Sequence, residues 1–319
     1  MIGLGIIGAG IMGERLLSAA LAQAGGTVRV TGIWDPAPAA LARIAAHFPG
    51  VPLAASASAV IEGAECVYVA APPAAHLVHG EAVLAAGRAL FCEKPLAVDV
   101  AAGARFVAAA RGARAAVNFP FASSFAVGRL REWIAEGALG TAQSLAIEVA
   151  FATWPRGWQQ DAASWLDGRA QGGFTREVVS HFLFLARRLL GPLDLQSRSA
   201  TFPEPGHSER AITARLTAGG VAATLTGGVG ITTKDDHNRF TLTGTAGALR
   251  LADWSIAERL RGETWEPDPE ALPNPAIRPL VLKRQLEALA AMTRGQAHPL
   301  ATLEEAFEVQ RIVEAILAG

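Results

Sequence analysis

Lysine, cysteine and long apolar runs are scarce in this 319-residue sequence. The two cysteines, Cys66 and Cys92, cannot supply a cluster of four thiolates, and no metal site is predicted. Their apolar surroundings indicate free buried thiols and a reducing compartment. Charges, glycines or prolines interrupt every long apolar stretch, which argues against a membrane-spanning helix. Because a strand-like segment begins at Ile2 without a basic leader, we expect a cytoplasmic location.

The charge of the chain is nearly balanced. Its 28 basic residues face 29 acidic ones, so no net positive field exists to hold nucleic acid or an anionic membrane. The lysines among the 28 are Lys94, Lys234 and Lys283, which leaves 25 arginines. Arginine cannot replace lysine where a proton must be released, so a lysine in this chain marks a position worth testing for chemistry.

The first part of the chain, residues 1–120, alternates segments typical of strands and of helices. The predicted strands are Ile2–Ile7, Thr27–Ile33, Glu65–Ala70, Ala89–Cys92 and Arg114–Asn118. The predicted helices are Glu14–Ala24, Ala37–Ala46, His76–Ala86 and Val100–Ala110. This alternation indicates crossover units around a parallel sheet and an α/β domain.

The second part, residues 121–319, has a different pattern. A helix over Val127–Glu136 precedes all of its predicted strands. The predicted strands are Gln143–Thr153, Leu195–Phe202, Ala211–Thr217, Val221–Gly227, Arg239–Thr243 and Ala248–Ala252. Further helices are predicted over Gly173–Leu190, near Leu280–Thr293 and near Leu303–Leu317. Prolines between Pro267 and Pro279 predict an extended loop. The pattern predicts an α+β domain with a large, mostly antiparallel sheet.

A glycine-rich turn joins the first strand to the first helix. Of its glycines, Gly8 makes the tight turn, Gly10 lets a pyrophosphate approach the backbone, and Gly13 allows the helix to pack closely. The first N–H groups of the helix can face the phosphates. We therefore predict that a dinucleotide contacts Gly8, Gly10, Ile11, Met12 and Gly13. A turn that binds no nucleotide is the alternative.

Asp35 follows the second predicted strand, 22 residues past Gly13. A carboxylate at this position accepts hydrogen bonds from a ribose 2′-OH. It would repel a 2′-phosphate, and the next arginine along the chain is Arg43, so the sequence favours NAD over NADP. The alternative role for Asp35 is that of a turn residue or helix cap before Pro36.

Charged and polar residues also follow other predicted strands. Lys94, in a Glu93-Lys94-Pro95 turn, ends a short apolar strand, and ligands of open parallel sheets bind beyond such strand ends. Asn118, at the end of the last strand of the first domain, is placed to contact a nicotinamide. His76 begins a helix at the same edge, for such a contact or merely as a cap. A surface lysine in a turn is the alternative for Lys94.

A series of short motifs runs in one order along nearly the whole chain. They are Gly8–Gly13, Ala71-Pro72-Pro73 followed by His76, Ala86-Gly87, Glu93-Lys94-Pro95, Gly137–Gly140, Gly172-Gly173 before His181, and Gly244–Gly247. This set resembles the Gfo/Idh/MocA oxidoreductases, which include glucose–fructose oxidoreductase and inositol dehydrogenase. The resemblance implies a Rossmann domain, with a doubly wound parallel sheet, and a second domain whose open sheet often mediates assembly. We therefore expect a homodimer or homotetramer formed through the C-terminal sheet.

The resemblance also implies roles for individual residues. It places Lys94 beside the nicotinamide and the substrate hydroxyl, with a cis bond to Pro95. The cofactor contacts that it suggests, beyond the glycine-rich turn and Asp35, are Ala71, Pro73, His76, Glu93, Lys94 and Asn118. His181 matches the family's acid/base or substrate ligand, and a hydrogen-bonded core histidine is the alternative.

Glu177 departs from the family pattern, which usually has Asp four residues before the histidine. Residues 177 and 181 share a helix face at this spacing. The extra methylene moves the carboxylate by about one bond length, and ~1 Å matters in a catalytic site. Either the pocket adapts and Glu177 is catalytic together with Lys94 and His181, or Glu177 contacts another group such as Arg176.

A tryptophan-rich segment precedes this helix. The aromatic faces of Trp154 and Trp158 and the guanidinium of Arg156 suit a polyhydroxylated substrate, and a role in the core or an interface is the alternative. With Lys94 and His181 they form the predicted substrate-binding set.

The expected function is that of an NAD(P)-dependent oxidoreductase, with NAD preferred. It would transfer a hydride between the nicotinamide and a hydroxyl or carbonyl carbon of a sugar, cyclitol or related small polyol. Two alternatives stay open: a glycosidase-type enzyme that uses transient oxidation by NAD for elimination, and a non-catalytic NAD(P)-binding regulator.

Overall fold

The computed structural model describes residues 1–23 and 26–318. The chain forms two compact units. The first comprises Met1–Ser123 and Pro279–Phe307, and the second comprises Ser124–Arg278 and Glu308–Gly319. The functional domains assigned from the sequence, 1–120 and 121–319, stay a prediction. The observed first unit includes, in addition, a segment from near the end of the chain.

The first unit is built on a five-stranded parallel sheet with the order β2-β1-β3-β4-β5. Its strands are β1 (Ile2–Ile7), β2 (Val28–Trp34), β3 (Cys66–Val69), β4 (Ala89–Cys92) and β5 (Ala115–Val117). Its helices are α1 (Ile11–Ala22), α2 (Pro38–His47), α3 (Ala57–Gly63), α4 (His76–Ala85) and α5 (Val100–Ala109). The predicted parallel α/β architecture is confirmed. Strand order reverses at β1 and β3, where ligands of such sheets bind.

Apolar burial explains most of these elements. Strands β1, β3 and β4 are buried along their whole length, as expected for strands covered on both faces. Helix α1 buries Leu16 and Leu17 on its inner side. The sequence predicted this helix over Glu14–Ala24, and Ala24 lies outside the described residues. Helix α3 was not predicted; it is a short helix whose first turn is capped by the Ser56 Oγ, 3.1 Å from the Ala59 nitrogen.

The second unit contains an eight-stranded sheet with the order β13-β12-β11-β10-β6-β9-β8-β7. The strands are β6 (Ala142–Phe151), β7 (Leu193–Thr201), β8 (Ala211–Ala218), β9 (Val221–Val229), β10 (His237–Gly244), β11 (Ala248–Ala252), β12 (Ile256–Arg261) and β13 (Thr264–Pro267). The pair β6–β9 is parallel and the other pairs are antiparallel. The large, mostly antiparallel sheet is thus confirmed, with β12 and β13 as additions.

The α-helices of this unit before β7 are α6 (Phe125–Ala135), the short α7 (Ala163–Leu166) and α8 (Ser180–Leu190). Helix α6 contacts β11 and β12, and α8 contacts β7 and β8. Buried and exposed residues alternate along β8 and β9, so the opposite face of these strands is open within the unit.

Two predicted elements are corrected. The expected helix over Gly173–Leu190 is a π-helical turn, Thr175–Val179, followed by α8. The extended loop expected up to Pro279 is wrong for its last residues, because α9 (Asn274–Thr293) contains Pro279. The Ala276 and Ile277 N–H groups donate to the Pro273 carbonyl and begin the helix. Pro275 lies in this first turn, where no N–H is needed, whereas Pro279 lies inside the helix.

The last helix is α10 (Leu303–Leu317), close to the prediction. In the ranges 1–23 and 26–318, none of the helices combines the length and the apolarity needed to cross a bilayer.

Candidate active site

The glycine-rich turn has an opening at its centre. Gly8 has φ +104°, and a Cβ there would lie 2.6 Å from the Ala70 carbonyl oxygen. A Cβ on Gly13 would overlap the Gly8 carbonyl oxygen, whereas a Cβ on Gly10 meets nothing within 4 Å. The fold itself therefore requires the outer two glycines and leaves the backbone at Gly10 open. Gly10 also caps α1 without a side chain, so the first N–H groups of the helix suit the phosphates of a dinucleotide.

Asp35 has structural bonds on both carboxylate oxygens. Oδ2 accepts from the Ala9 nitrogen at 2.8 Å, and Oδ1 accepts from the Ala37 nitrogen at 2.8 Å. The turn role left open in the sequence is therefore real, and it ties Asp35 to the glycine-rich turn. A carboxylate has about four acceptor sites, so a ribose hydroxyl can still bind it.

Arg43 lies at the same turn, although it is distant from it along the chain. Its Nη2 donates to the Ala9 carbonyl at 2.7 Å, and its Nε lies 3.2 Å from the Glu14 carboxylate. The expectation that no arginine accompanies Asp35 was based on spacing, which does not show that α2 returns Arg43 to this turn. The ion pair with the Glu14 carboxylate offsets the positive charge of Arg43.

A buried polar network lies at the carboxyl ends of β3, β4 and β5. We call Tyr68, Glu93, Asn118 and Gln285 the Glu93 cluster. Tyr68 donates its hydroxyl proton to Glu93 Oε1, and the Asn118 amide nitrogen donates to the same oxygen at 2.6 Å. Gln285 on α9 donates to Asn118 Oδ1 at 2.5 Å. Burial, and then the charge of Glu93, raise the pKa of Tyr68 well above its usual range, so Tyr68 remains a donor.

The Glu93 cluster contacts the backbone of Lys94, the residue predicted to transfer a proton. Glu93 Oε2 accepts from the Lys94 backbone nitrogen at 3.3 Å. Lys94 is 9% exposed, and its bond to Pro95 is cis, as the resemblance implied. The side chain of Asn118, predicted to contact a nicotinamide, instead has one end on Glu93 and the other on Gln285. A direct nicotinamide contact of Asn118 stays a prediction.

His76 links two of the predicted cofactor segments. Its Nδ1 lies 2.7 Å from the Pro95 carbonyl oxygen, and its Nε2 lies 2.7 Å from the Ala71 carbonyl oxygen. His76 therefore connects the segment after β3 to the Glu-Lys-Pro turn. Pro73 begins a short 3₁₀ turn, Pro73–Ala75, directly before His76. Neither the cap role nor the nicotinamide role is needed to explain its burial.

In the second unit, His181 is buried near the start of α8. It is 7% exposed, and its ring contacts the Trp254 ring edge-on with centroids 5.4 Å apart. Glu177 lies in the preceding π-helical turn, where helical spacing does not follow 3.6 residues per turn. The shared face of Glu177 and His181 thus stays a prediction. Arg176, suggested as a partner of Glu177, donates from Nε and Nη2 to Glu314 at 2.7 and 2.8 Å.

Trp254 connects His181 to the tryptophan-rich segment. Its Nε1 donates to Asp236 Oδ2 at 2.8 Å, and Arg156 Nη1 binds the same oxygen at 2.6 Å. Asn238 donates to the other oxygen of Asp236. We call Arg156, Asp236, Asn238 and Trp254 the Asp236 cluster. The structure therefore joins two of the predicted substrate residues, Arg156 and His181, through residues that were not predicted.

The predicted tryptophans have different environments. Trp154 is buried against Phe151 and Phe174, with centroids 5.2 and 6.1 Å apart, so it packs in the core. Trp158 is 46% exposed, with the Arg156 guanidinium 4.8 Å from its ring centroid. Trp158 thus offers an accessible aromatic face next to the Asp236 cluster.

The unpredicted members of both clusters left weak signals in the sequence. Tyr68 is the single tyrosine of the chain and lies in an apolar strand, and Asp236 belongs to a polar Lys234-Asp235-Asp236 segment, whose composition is typical of a surface turn. Trp254 has φ +75°, in a region that bulky residues rarely adopt, and such backbone is concentrated at functional sites.

Comparison with known proteins agrees with this geometry. Residues 2–119 match the model of an oxidoreductase family with an NAD-binding Rossmann fold, and residues 127–250 match the Gfo/Idh/MocA C-terminal domain. An inositol 2-dehydrogenase of Cereibacter sphaeroides is 39% identical over 113 residues, which cover 34% of this chain and 33% of that relative.

Solved structures match over nearly the whole chain. An oxidoreductase of Thermotoga maritima has a TM-score of 0.83 at 19% identity, covering 99% of this chain and 95% of its own. The WlbA dehydrogenase of Bordetella pertussis, solved with NADH and UDP-GlcNAcA, has a TM-score of 0.81 at 21% identity, covering 99% and 94%. These structures share the fold, and the two family models together span most of the chain. The chain belongs to the Gfo/Idh/MocA family of oxidoreductases.

Proposed function

We propose that the chain is an NAD(P)-dependent dehydrogenase or reductase that acts on a hydroxyl or carbonyl carbon of a sugar, cyclitol or related polyol. The open backbone at Gly10, between two glycines that the fold itself requires, carries the proposal. The similarity to an inositol dehydrogenase supports the substrate class.

Each unit contributes separate groups to this function. A bound nicotinamide supplies the chemistry of hydride transfer. Lys94 would take or return the proton of the reacting hydroxyl, with its backbone held by Glu93. His181 would bind the same hydroxyl or share the proton transfer. Glu177 is retained as a third candidate, and Trp158 and Arg156 would contact the remainder of the substrate.

NAD is the proposed cofactor, in preference to NADP. The carboxylate of Asp35, tied to the glycine-rich turn, would repel a 2′-phosphate. Arg43 weakens this preference, because a guanidinium stands at the same turn, but Glu14 offsets its charge. We expect Gly10→Ala, which adds a methyl group into open space, to fold normally and to bind NAD⁺ about tenfold more weakly.

The central test is turnover of a panel of sugars, cyclitols and sugar acids with NAD⁺ and NADP⁺, followed by absorbance of the reduced cofactor. We expect Lys94→Arg to lower kcat by about 10²–10⁴-fold, because the charge is kept while proton transfer is lost. Lys234→Arg, at a side chain 59% exposed, is the matched control and should be unchanged. Near-normal turnover in Lys94→Arg would contradict the role of Lys94. NAD⁺ binding without turnover would indicate a regulator, and product without net NADH would indicate elimination.

We also propose a cytoplasmic location and a homodimer or homotetramer formed through the open sheet. Both cysteines are buried free thiols, which suits a reducing compartment. The open face of β8 and β9 supports assembly by sheet packing. Light scattering after size exclusion tests the assembly, and a purely monomeric chain would contradict it.

A further inference from the structure

Ala9, in the glycine-rich turn, is held by two side chains of opposite charge. Its nitrogen donates to Asp35 Oδ2 at 2.8 Å, and its carbonyl oxygen accepts from Arg43 Nη2 at 2.7 Å. Standard bond lengths keep the nitrogen and the carbonyl oxygen of one residue within about 3.6 Å of each other. With the two hydrogen bonds included, the Asp35 carboxylate oxygen and the Arg43 nitrogen lie no more than about 9 Å apart.

A span of this size fits the 2′ position of an adenosine ribose. A carboxylate at the position of Asp35 binds the ribose hydroxyls of a dinucleotide. Where the 2′-hydroxyl carries a phosphate, that group and one hydrogen bond of about 2.8 Å on either side of it span roughly 8 Å. Arg43 is therefore within reach of a 2′-phosphate on a ribose that lies at Asp35.

The guanidinium of Arg43 has donors available for such a phosphate. An arginine has five N–H groups. In Arg43, one of them binds Glu14 Oε2 at 3.2 Å and one binds the Ala9 carbonyl. Within residues 1–23 and 26–318 no other hydrogen bond engages this guanidinium, and the side chain is 43% exposed. Because guanidinium groups bind phosphates with paired hydrogen bonds, Arg43 is equipped to bind the group that Asp35 repels.

Glu14 counteracts this property of Arg43. It lies in the first turn of α1, and its two carboxylate oxygens face α2, with Oε2 3.2 Å from Arg43 Nε and Oε1 3.3 Å from His47 Nδ1. Together, the carboxylates of Asp35 and Glu14 exceed the guanidinium of Arg43 by one negative charge. A 2′-phosphate adds up to two more, so these side chains together repel it. Without the charge of Glu14, one carboxylate and one guanidinium balance each other.

We propose that Glu14 is a specificity-determining residue that sets the preference for NAD over NADP, because its ion pair with Arg43 keeps the guanidinium from binding a 2′-phosphate. The inference rests on the proposed function, since it concerns the cofactor site of that function. NAD carries an uncharged hydroxyl at the 2′ position, so the same ion pair has little effect on its binding.

The test measures the binding of NAD⁺ and NADP⁺, which differ only by the 2′-phosphate, to the full chain by calorimetry. We expect the wild type to bind NAD⁺ more tightly. Glu14→Gln should raise the affinity for NADP⁺ about 3–10-fold and change the affinity for NAD⁺ by less than about twofold. Because the site is partly exposed, 1 M salt should reduce the gain to about that of NAD⁺ through screening of the charges.

Two further variants identify the cause of the gain. Arg43→Gln, added to Glu14→Gln, should remove it, because the guanidinium that binds the phosphate is gone. Glu62→Gln is the matched control, since it removes the same charge from an exposed glutamate of α3. Glu62 precedes β3 and so lies near the amino edge of the parallel sheet, whereas cofactors bind beyond the carboxyl edge. It should leave both affinities unchanged.

Several results would overturn the proposal. They are a wild type that prefers NADP⁺, an unchanged NADP⁺ affinity in Glu14→Gln, an equal change for both cofactors in that variant, and a gain that persists after Arg43→Gln.

Binding is measured without turnover, so this inference and the proposed function can fail separately. A cofactor preference that depends on Glu14, without NADH formation from any substrate, would support the inference and contradict the dehydrogenase. NADH formation together with an NADP⁺ affinity that Glu14→Gln leaves unchanged would do the reverse.

Discussion

The Glu93 cluster and the Asp236 cluster both lie at strand ends, but the two sheets bring their residues together in different ways. Tyr68 lies in β3, Glu93 directly follows β4, and Asn118 directly follows β5. Because parallel neighbours all end at one edge, chain direction alone brings these residues together. The backbone confirms the register: the Glu93 nitrogen donates to the Val69 carbonyl, and the Asn118 nitrogen to the Cys92 carbonyl.

In the antiparallel sheet, the start of one strand meets the ends of its neighbours. Asp236 precedes β10, whose first residue pairs with Ala150 near the end of β6. Arg156 lies in the segment after β6, and Trp254 follows β11, whose last residue pairs with β10. Assembling this cluster from the sequence requires the strand order, which the local pattern does not contain. The comparison therefore separates sites that chain direction predicts from sites that need tertiary pairing.

The largest expected difference between the clusters concerns charge. Asp236→Ala leaves the buried Arg156 guanidinium without its partner, whereas the donors of the Glu93 cluster are neutral. We expect a loss of about 3–5 kcal/mol in the free energy of unfolding. Urea denaturation measures it, and Asp235→Ala, at the exposed neighbouring residue, is the control. Adding Arg156→Met should recover much of the loss. A loss below about 1 kcal/mol would mean that water solvates the Arg156–Asp236 ion pair and that the two clusters do not differ in this respect.

A smaller effect is expected in the Glu93 cluster. Tyr68→Phe removes one of the two side-chain donors to Glu93 Oε1 and leaves Asn118 in place. We expect a loss of about 1.5–3 kcal/mol, the range for a hydrogen bond to a charged group. If the cluster positions Lys94, kcat should also fall while KM stays near its wild-type value. Stability lost without any change in kcat would limit the cluster to a structural role.

Tyr68 also gives a direct spectroscopic check, because it is the single tyrosine of the chain. Its folded pKa is raised above the ordinary value of 10, so the folded state holds the proton more tightly than the unfolded state. The contribution of protonated Tyr68 to the free energy of unfolding is fully present below pH 10 and is lost as pH rises through the raised pKa. We expect tyrosinate absorbance to appear together with unfolding. Ionisation in a chain that stays folded would show that the hydroxyl is exposed.

The features that could be predicted from the sequence are those set by local pattern, and the features that were missed depend on tertiary packing. Strand β4 was predicted at both ends, because apolar runs, turn signals and helical spacing are local properties. Helix α9 was partly missed, because Pro275 in its first turn and Pro279 inside it resemble a loop until the helix after them is known. The π-helical turn before His181 left no local signal. Arg43 and Trp254 were missed as site neighbours because only packing brings them back to the glycine-rich turn and to His181.

Glu209 sharpens the comparison as a buried carboxylate that belongs to neither cluster. It is fully buried, and its Oε1 accepts from the Thr175 nitrogen at 2.6 Å, at the start of the π-helical turn. Burial raises the pKa of Glu209 above its ordinary value of 4.5, against the opposing effects of the Thr175 hydrogen bonds and the charge of Arg176. The folded state thus binds the proton more strongly than the unfolded state. Its stabilising contribution is complete below pH 4.5 and is lost as pH rises through the raised value.

Glu209→Gln should therefore gain stability relative to the wild type as pH rises. Glutamine keeps an acceptor for the Thr175 nitrogen and carries no charge at any pH. We expect the difference in the free energy of unfolding to shift in favour of the variant between pH 5 and pH 8, measured by urea denaturation. Glu263→Gln, at an exposed glutamate of the same unit, should show no such shift. If the variant and the wild type differ by the same free energy of unfolding at both pH values, the prediction is wrong. The hydrogen bond from the Thr175 nitrogen would then stabilise the charged form of Glu209 enough to offset its burial.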